Sequence, residues 1–246
     1  MPRPVPEAFS LANLRVVLIG TRNPLNIGAA ARAMSNFGFS DLALVRPYDP
    51  AFREARSALG GASVLKQAVQ YTGVGEAVSG CDLVVGTASA GQRTPQLPFH
   101  SLEQEARLIR RRLAAGRVAM LFGSEKVGLS NEALDHCHRL VTIPTVETNF
   151  SMNLGQAVAV CLYELIRSSA APKPGKEAPR ARSGELERIT QMLFDILTTS
   201  GYINPRTQTS SQAKVRRLVR RFTLNDEDAR TLLGMLRQIT WKLDHK

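Results

Sequence analysis

Two segments in the middle of the chain combine glycines, a carboxylate, hydroxyls and amides at spacings suited to holding a polar ligand. They are Leu121-Phe-Gly-Ser-Glu-Lys-Val-Gly-Leu129 and Asn149-Phe-Ser-Met-Asn-Leu-Gly-Gln-Ala157. Each follows an apolar, β-branched run, Val118 to Phe122 and Leu140 to Ile143, that reads as a buried parallel strand ending in a polar loop. Loops at the carboxyl ends of parallel strands are where open α/β sheets bind ligands. Gly123 and Gly128 permit turns and close backbone approach that a Cβ would block. Ser151 and Asn153 precede the helical pattern Leu154 to Ile166, where free N–H groups can meet polar ligand atoms; capping that helix is their alternative role, and the two are compatible. A third segment, Asn26-Ile-Gly-Ala-Ala-Ala-Arg32, follows the strand Val16 to Gly20. On an alanine-rich helix a lone Arg32 would ordinarily be an exposed surface residue.

The elements that must position these loops alternate along the chain. The pattern predicts strand 15–20, helix 26–37, strand 41–45, a short helix near 61–67, strand 68–71, helix 74–79 and strand 82–87. It continues with helix 101–115, strand 117–122, helix 130–137, strand 139–143 and helix 154–168. Apolar strands alternating with crossover helices imply an α/β fold with a mostly parallel sheet covered on both faces. Residues 1–13 are a proline-rich arm, 14–169 the main domain, and 170–184, with three prolines and two glycines, an exposed linker. Residues 185–246 read as a small all-helical domain. Its first helix carries Leu186, Ile189, Leu193, Ile196 and Leu197 on one face, and its second carries Val215, Leu218, Val219 and Phe222. Thr209 and Gln212 form a candidate capping box, and a third helix starts near Asn225.

The formal net charge is +11, with 17 Lys/Arg against 13 Asp/Glu in residues 1–170 and 15 against 8 in the remainder. A basic tail fits either a polyanionic partner or a merely soluble surface. Lys214, Arg217 and Arg221 share one face of the second C-terminal helix, with Arg216 and Arg220 on another. Arg110-Arg111-Arg112 spreads around a helix axis and reads as a solvated face. Cys81, Cys137 and Cys161 are isolated, which points to a reducing compartment and against structural zinc. His136-Cys137-His138 does not put its neighbours on one helix face, so no metal is expected. The N-terminus lacks the apolar core of a signal peptide, and no run reaches the ~18 apolar residues of a membrane span, so a cytoplasmic protein with no membrane partner is expected.

In order and context, the N-x-G-x-x-x-R helix start, the F-G-x-E-x-x-G-L loop and the S-x-N helix start resemble the SPOUT superfamily of RNA methyltransferases, within it the TrmH-like 2′-O-ribose branch. The match covers roughly residues 14 to 168. Asn23-Pro-Leu-Asn-Ile-Gly, Asn36-Phe-Gly-Phe39 and the helical extension look most like the TrmJ-type tRNA methyltransferases, which act on the ribose of nucleotide 32. Departures are Leu25, where a glycine is common, and Ser124 and Lys126, where some such sequences have arginines. The resemblance implies a C-terminal deep trefoil knot, S-adenosylmethionine as methyl donor, tRNA as substrate and a homodimer whose second subunit completes the cleft. It implies donor contacts at Thr87, Ala88, Ser89, Gly123, Ile143, Phe150, Ser151 and Met152. Ser151 and Asn153 would orient the acceptor, and Arg32 would reach into the acceptor site. A guanidinium presents donors only, so Arg32 is expected to clamp a phosphate and to steady developing alkoxide charge rather than to act as a base. Glu125 is expected to hold loop geometry or to pair with a basic neighbour. Arg22, Asn23, Lys214, Arg217 and Arg221 are the expected RNA contacts. Competing readings are the same chemistry on ribosomal RNA or another tRNA position, an RNA-binding protein on a degenerate methyltransferase fold, and a nucleotide-dependent oxidoreductase. The last lacks a G-x-G-x-x-G after the first strand.

Overall fold

A computed structural model describes residues 9–48, 61–89, 97–146, 151–167, 179–204, 206 and 208–245. The elements are β1 (Leu14–Ile19), α1 (Pro24–Phe37), β2 (Asp41–Val45), α2 (Ala62–Gln67), β3 (Val69–Tyr71), α3 (Val74–Val78), β4 (Leu83–Thr87) and β5 (Phe99–Ser101). Then follow α4 (Leu102–Ala115), β6 (Val118–Phe122), α5 (Asn131–Asp135), β7 (Arg139–Thr142), α6 (Leu154–Arg167), α7 (Ser183–Thr199), α8 (Gln208–Arg221) and α9 (Asp226–Asp244). The seven strands form one sheet in the order β3-β2-β1-β6-β4-β7-β5, and every pairing is parallel.

Alternation along each strand explains why the strands are apolar throughout. In β1, Val16 and Leu18 face one layer with α1, α4 and α6, while Val17 faces the other with α3 and α5. A sheet buried on both faces demands such runs. On the first face α1 and α6 pack closely: a Cβ on Gly155 would lie 2.5 Å from that of Ala29. The helix α1 stops where Gly38 takes φ +81, and its N–H closes the last turn on Met34 and Ser35. All three cysteines are buried, and burial pushes the thiols up to about 11 for Cys81 and about 12 for Cys137 and Cys161.

Several details depart from the sequence reading. The sequence pattern does not show the edge strand β5; it pairs with β7 beside a buried Glu105 that Arg139 grips through Nε at 2.7 Å and Nη2 at 2.6 Å. Arg110 is not solvated: helix geometry groups it with Ala106, Ile109 and Leu113 on the buried face, and it donates to the Glu164 carbonyl at 2.9 Å. The helix α7 starts at Ser183, inside the segment read as linker. Thr209 lies within α8, which begins at Gln208, so it does not cap that helix.

The helices α7, α8 and α9 share an apolar core of their own around Leu186, Ile189, Val219 and Leu233. Val215 and Val219 are buried in it, whereas Leu218 and Phe222, expected on the same stripe, are 43% and 44% exposed. The first turn of α7 docks on the α3–β4 connection, with the N–H groups of Ser183 and Gly184 donating to the carbonyls of Cys81 and Ser79, both at 2.8 Å.

Candidate functional site

At the carboxyl ends of β4, β6 and β7 the chain forms a cleft of about 290 Å³. One wall is the segment after β6. Gly128 takes φ +66, its N–H donates to the Ser124 carbonyl at 2.9 Å, and the two residues form an isolated antiparallel bridge. The loop therefore doubles back on Gly123, where any Cβ would collide with the backbone of Gly128 and Leu129. Only glycine fits that position without moving the loop. The opposite wall is the end of β4. Thr87 donates its hydroxyl to the Leu121 carbonyl at 2.9 Å, and the Ala88 N–H donates to the Val141 carbonyl at 3.0 Å, so this turn is tied to both neighbouring strands.

Thr87, Ala88, Ser89, Gly123, Ile143, Ser151 and Met152 all line this one cleft, brought together from three loops. Phe150 lies outside the described residues. Sequence reasoning missed the apolar floor and walls, Phe99, Leu129, Leu134 and Val141 among them. No local signal marks these residues, because any buried strand end supplies such side chains. An apolar slot edged by hydroxyls and main-chain groups suits a flat heterocycle carrying a polar sugar.

The three sequence motifs meet through side chains. Asn26 donates to Glu125 Oε1 at 2.8 Å and accepts at its own Oδ1 from Asn153 Nδ2, also at 2.8 Å. Asn153 Oδ1 in turn accepts from the N–H groups of Gly155 and Gln156 at 3.0 and 3.3 Å, capping α6. Asn26 is buried, and its amide spends a donor and an acceptor on these two partners. This chain fixes the relative position of the α1 start, the Gly123–Leu129 loop and the α6 start. Glu125 thus holds loop geometry through an amide rather than a cation.

On the far side of the same loop lies a second cleft of about 850 Å³, with Arg22, Asn23, Arg46, Lys126 and Glu132 on its lining. Asn23 caps α1 by accepting from the Leu25 N–H at 2.9 Å. Arg46, at φ +47, pairs with Glu132 at 3.0 Å. Arg32 lines neither cleft; it is exposed on α1, and its side chain makes no hydrogen bond or ion pair with a described residue. Of the α8 cations, Lys214 and Arg221 are exposed. Arg217 is turned inward to Asp135 at 2.6 Å. Among the described residues no group of His, Cys, Asp and Glu could hold a metal ion, and no helix is long and apolar enough to cross a membrane.

Sheet order and strand-end loops define an α/β protein with a cleft at the carboxyl ends of β4, β6 and β7. A model of the SpoU rRNA Methylase family matches residues 13–163. The tRNA (cytidine/uridine-2'-O-)-methyltransferase TrmJ of Pectobacterium atrosepticum is 36% identical over 237 residues, spanning 93% of this chain and 97% of that protein. The crystal structure of TrmJ from Z. mobilis ZM4 superposes with a TM-score of 0.82 at 32% identity, covering 93% of this chain and 100% of that one. A methylase family protein from Neisseria gonorrhoeae follows at a TM-score of 0.67 and 27% identity, covering 78% of this chain and 98% of that one. The chain belongs to the SpoU rRNA methylase family.

Proposed function

We propose that this chain is an S-adenosylmethionine-dependent tRNA ribose 2′-O-methyltransferase acting on nucleotide 32 of the anticodon loop. The observation that carries the reading is the Glu125–Asn26–Asn153 chain, which joins the three motifs around one cleft. A chain that had kept the fold and lost the activity would have no reason to keep Arg32, Gly123, Glu125, Ser151 and Asn153 together. The match to the Pectobacterium relative runs through the C-terminal helices as well as the sheet, which favours tRNA over ribosomal RNA.

S-adenosylmethionine, when bound, supplies an electrophilic methyl group for transfer in line to a ribose hydroxyl. The residues of this chain bind and orient. Backbone at Gly123, Ile143 and Met152 and the turn Thr87-Ala88-Ser89 receive the adenosine, with Phe150 and Ser151 completing the third loop. Ser151 and Asn153 orient the acceptor ribose. Arg22 and Asn23 meet phosphate from the rim of the larger cleft. Arg32 clamps the target nucleotide and lowers the cost of alkoxide charge; a guanidinium keeps its proton, so the proton leaves to a phosphate or water.

The exposure of Arg32 fits a homodimer in which it serves the partner's cleft. Val160 and Tyr163 on α6, with Leu25 on α1, are exposed apolar side chains on the two helices that such a dimer would cover. The placement of β7 between β4 and β5, both earlier in the chain, supports the deep trefoil knot. We divide the chain as N-terminal segment 1–8, methyltransferase domain 9–169, linker 170–178 and RNA-binding helical domain 179–246, in a cytoplasmic enzyme; the core contact of Phe9 and the helical start at Ser183 move the sequence-read boundaries. Transfer of label from methyl-labelled donor to purified tRNA and, separately, to ribosomal RNA tests the substrate class. Incorporation is expected in tRNA; labelling of ribosomal RNA alone would reject it.

A further inference from the structure

The five-residue helix α5 follows the Gly123–Ser130 segment directly, its N-terminus capped by Ser130, whose Oγ accepts from the Ala133 N–H at 3.2 Å. Its last residue is Asp135. A carboxylate at a helix C-terminus faces the negative end of the helix dipole, so the local sequence disfavours it there. The compensation comes from 82 positions further along the chain. Arg217 Nη1 donates to Asp135 Oδ1 at 2.6 Å, and the two side chains are only 21% and 11% exposed. A charge-assisted bond this short and this sheltered is held more firmly than a surface ion pair.

Asp135–Arg217 is the direct side-chain bond between α5 and α8, and the neighbouring arginines tie α8 to α7, which approaches the turn after α5. Arg216 binds Glu187 through Nε and Nη2, and Glu187 lies 3.9 Å from Nδ1 of the buried His136, next to Asp135. Arg220, 3% exposed, donates to Ser183 Oγ at 3.0 Å. The inward side of α8 is thus fastened to α5 by Arg217 and to α7 by Arg216 and Arg220, while Lys214 and Arg221 stay exposed. From α5 the connection runs without a break through Ser130 into the loop that carries Glu125 and Gly128, and from Glu125 to Asn26 and Asn153.

We propose that Asp135 and Arg217 form a tether through which RNA held on α8 sets the geometry of the donor loop, making Arg217 a positioning residue for methyl transfer rather than a contact to RNA. The inference rests on the reading of the Gly123–Leu129 loop as the donor site. A force on α8 reaches the loop through α5, which is too short to absorb it. Binding of tRNA and of donor are therefore linked, and the linkage is reciprocal.

The test is calorimetric titration of S-adenosylmethionine into the full chain, alone and with saturating tRNA, for wild type, Arg217→Gln, Asp135→Asn and the exchanged pair Asp135→Arg/Arg217→Asp. In wild type, tRNA is expected to tighten donor binding at least about five-fold. Either single variant should bring that ratio below about two, with donor affinity in the absence of tRNA changed less than the ratio, and the exchanged pair should restore at least part of it. Arg221→Gln, as control, should weaken tRNA binding and keep the ratio. A wild-type ratio of one, or a ratio unchanged in Arg217→Gln and Asp135→Asn, overturns the tether while leaving the donor site in place. If wild type binds no donor, the donor-site reading falls and the tether with it.

Discussion

Between Gly123 and Leu129 the chain closes on itself through main-chain atoms, with no room for a side chain at Gly123 and a left-handed turn at Gly128. Along α8, by contrast, the work is done by long cations, two directed outward and three drawn into ion pairs or hydrogen bonds with Asp135, Glu187 and Ser183. A backbone cradle tolerates one residue type and is insensitive to salt and pH. A charged surface tolerates exchange among cations but responds to both. The first arrangement suits a small donor that must be held in one pose, and the second suits a polyanion that must be captured and released.

The contrast can be broken most sharply at the cradle. Gly123→Ala forces the loop apart at a cost of about 1–3 kcal/mol, and donor affinity should fall about ten- to hundred-fold. Arg32→Ala should do the reverse, cutting methyl transfer about 10²–10³-fold while the donor binds as before. Calorimetry alongside a tritium-methyl assay separates the two. If Gly123→Ala bound donor normally, the cradle would not be the donor site, and if Arg32→Ala kept its rate, the clamp would be misassigned.

The charged interface should show itself through pH. Burial, and then repulsion from Arg220 and Arg216, push His136 down to about 4. An unfolded histidine titrates near 6.5, so the unfolded chain takes up a proton that the folded chain refuses. Stability from this group is complete above about pH 6.5 and is lost as pH falls towards 4, on the order of 3 kcal/mol in all. Urea unfolding at pH 7 and pH 4.5 reads this, and His136→Gln should flatten the difference; an equal fall in the variant would assign it to other groups. Smaller still is the effect of the outward cations. Lys214→Glu with Arg221→Glu should raise the Michaelis constant for tRNA about ten-fold and make its salt dependence shallower by about two ions. An unchanged salt slope would remove α8 from the RNA surface.

The same contrast explains what could be read from the sequence. The strand Asp41–Val45 has the limits that its apolar run predicts, and the other main strands begin or end within a residue or so of prediction, because burial on both faces leaves one pattern available. Thr87, Gly123 and Ser151 fall around one cleft because strand order and motif order are linked by the fold. Most charged residues were legible only as charge. Arg110 falls in helical register with Ala106, Ile109 and Leu113, a periodicity that marks it as interior, but nothing local distinguishes Arg217 and Arg220 from Lys214 or Arg221, since an arginine's partner is chosen by tertiary contact. Asn26 illustrates the intermediate case. Its motif was visible, but its two side-chain partners, Glu125 and Asn153, lie 99 and 127 positions away.

The claim that joins both regions is that donor and tRNA meet to place one methyl on a ribose oxygen. Incubation of the full chain with labelled S-adenosylmethionine and total tRNA, followed by nuclease mapping and mass spectrometry, tests it directly. The account predicts a single 2′-O-methyl group at nucleotide 32. Methylation on a base, or no transfer to tRNA by a chain that binds the donor, would contradict it.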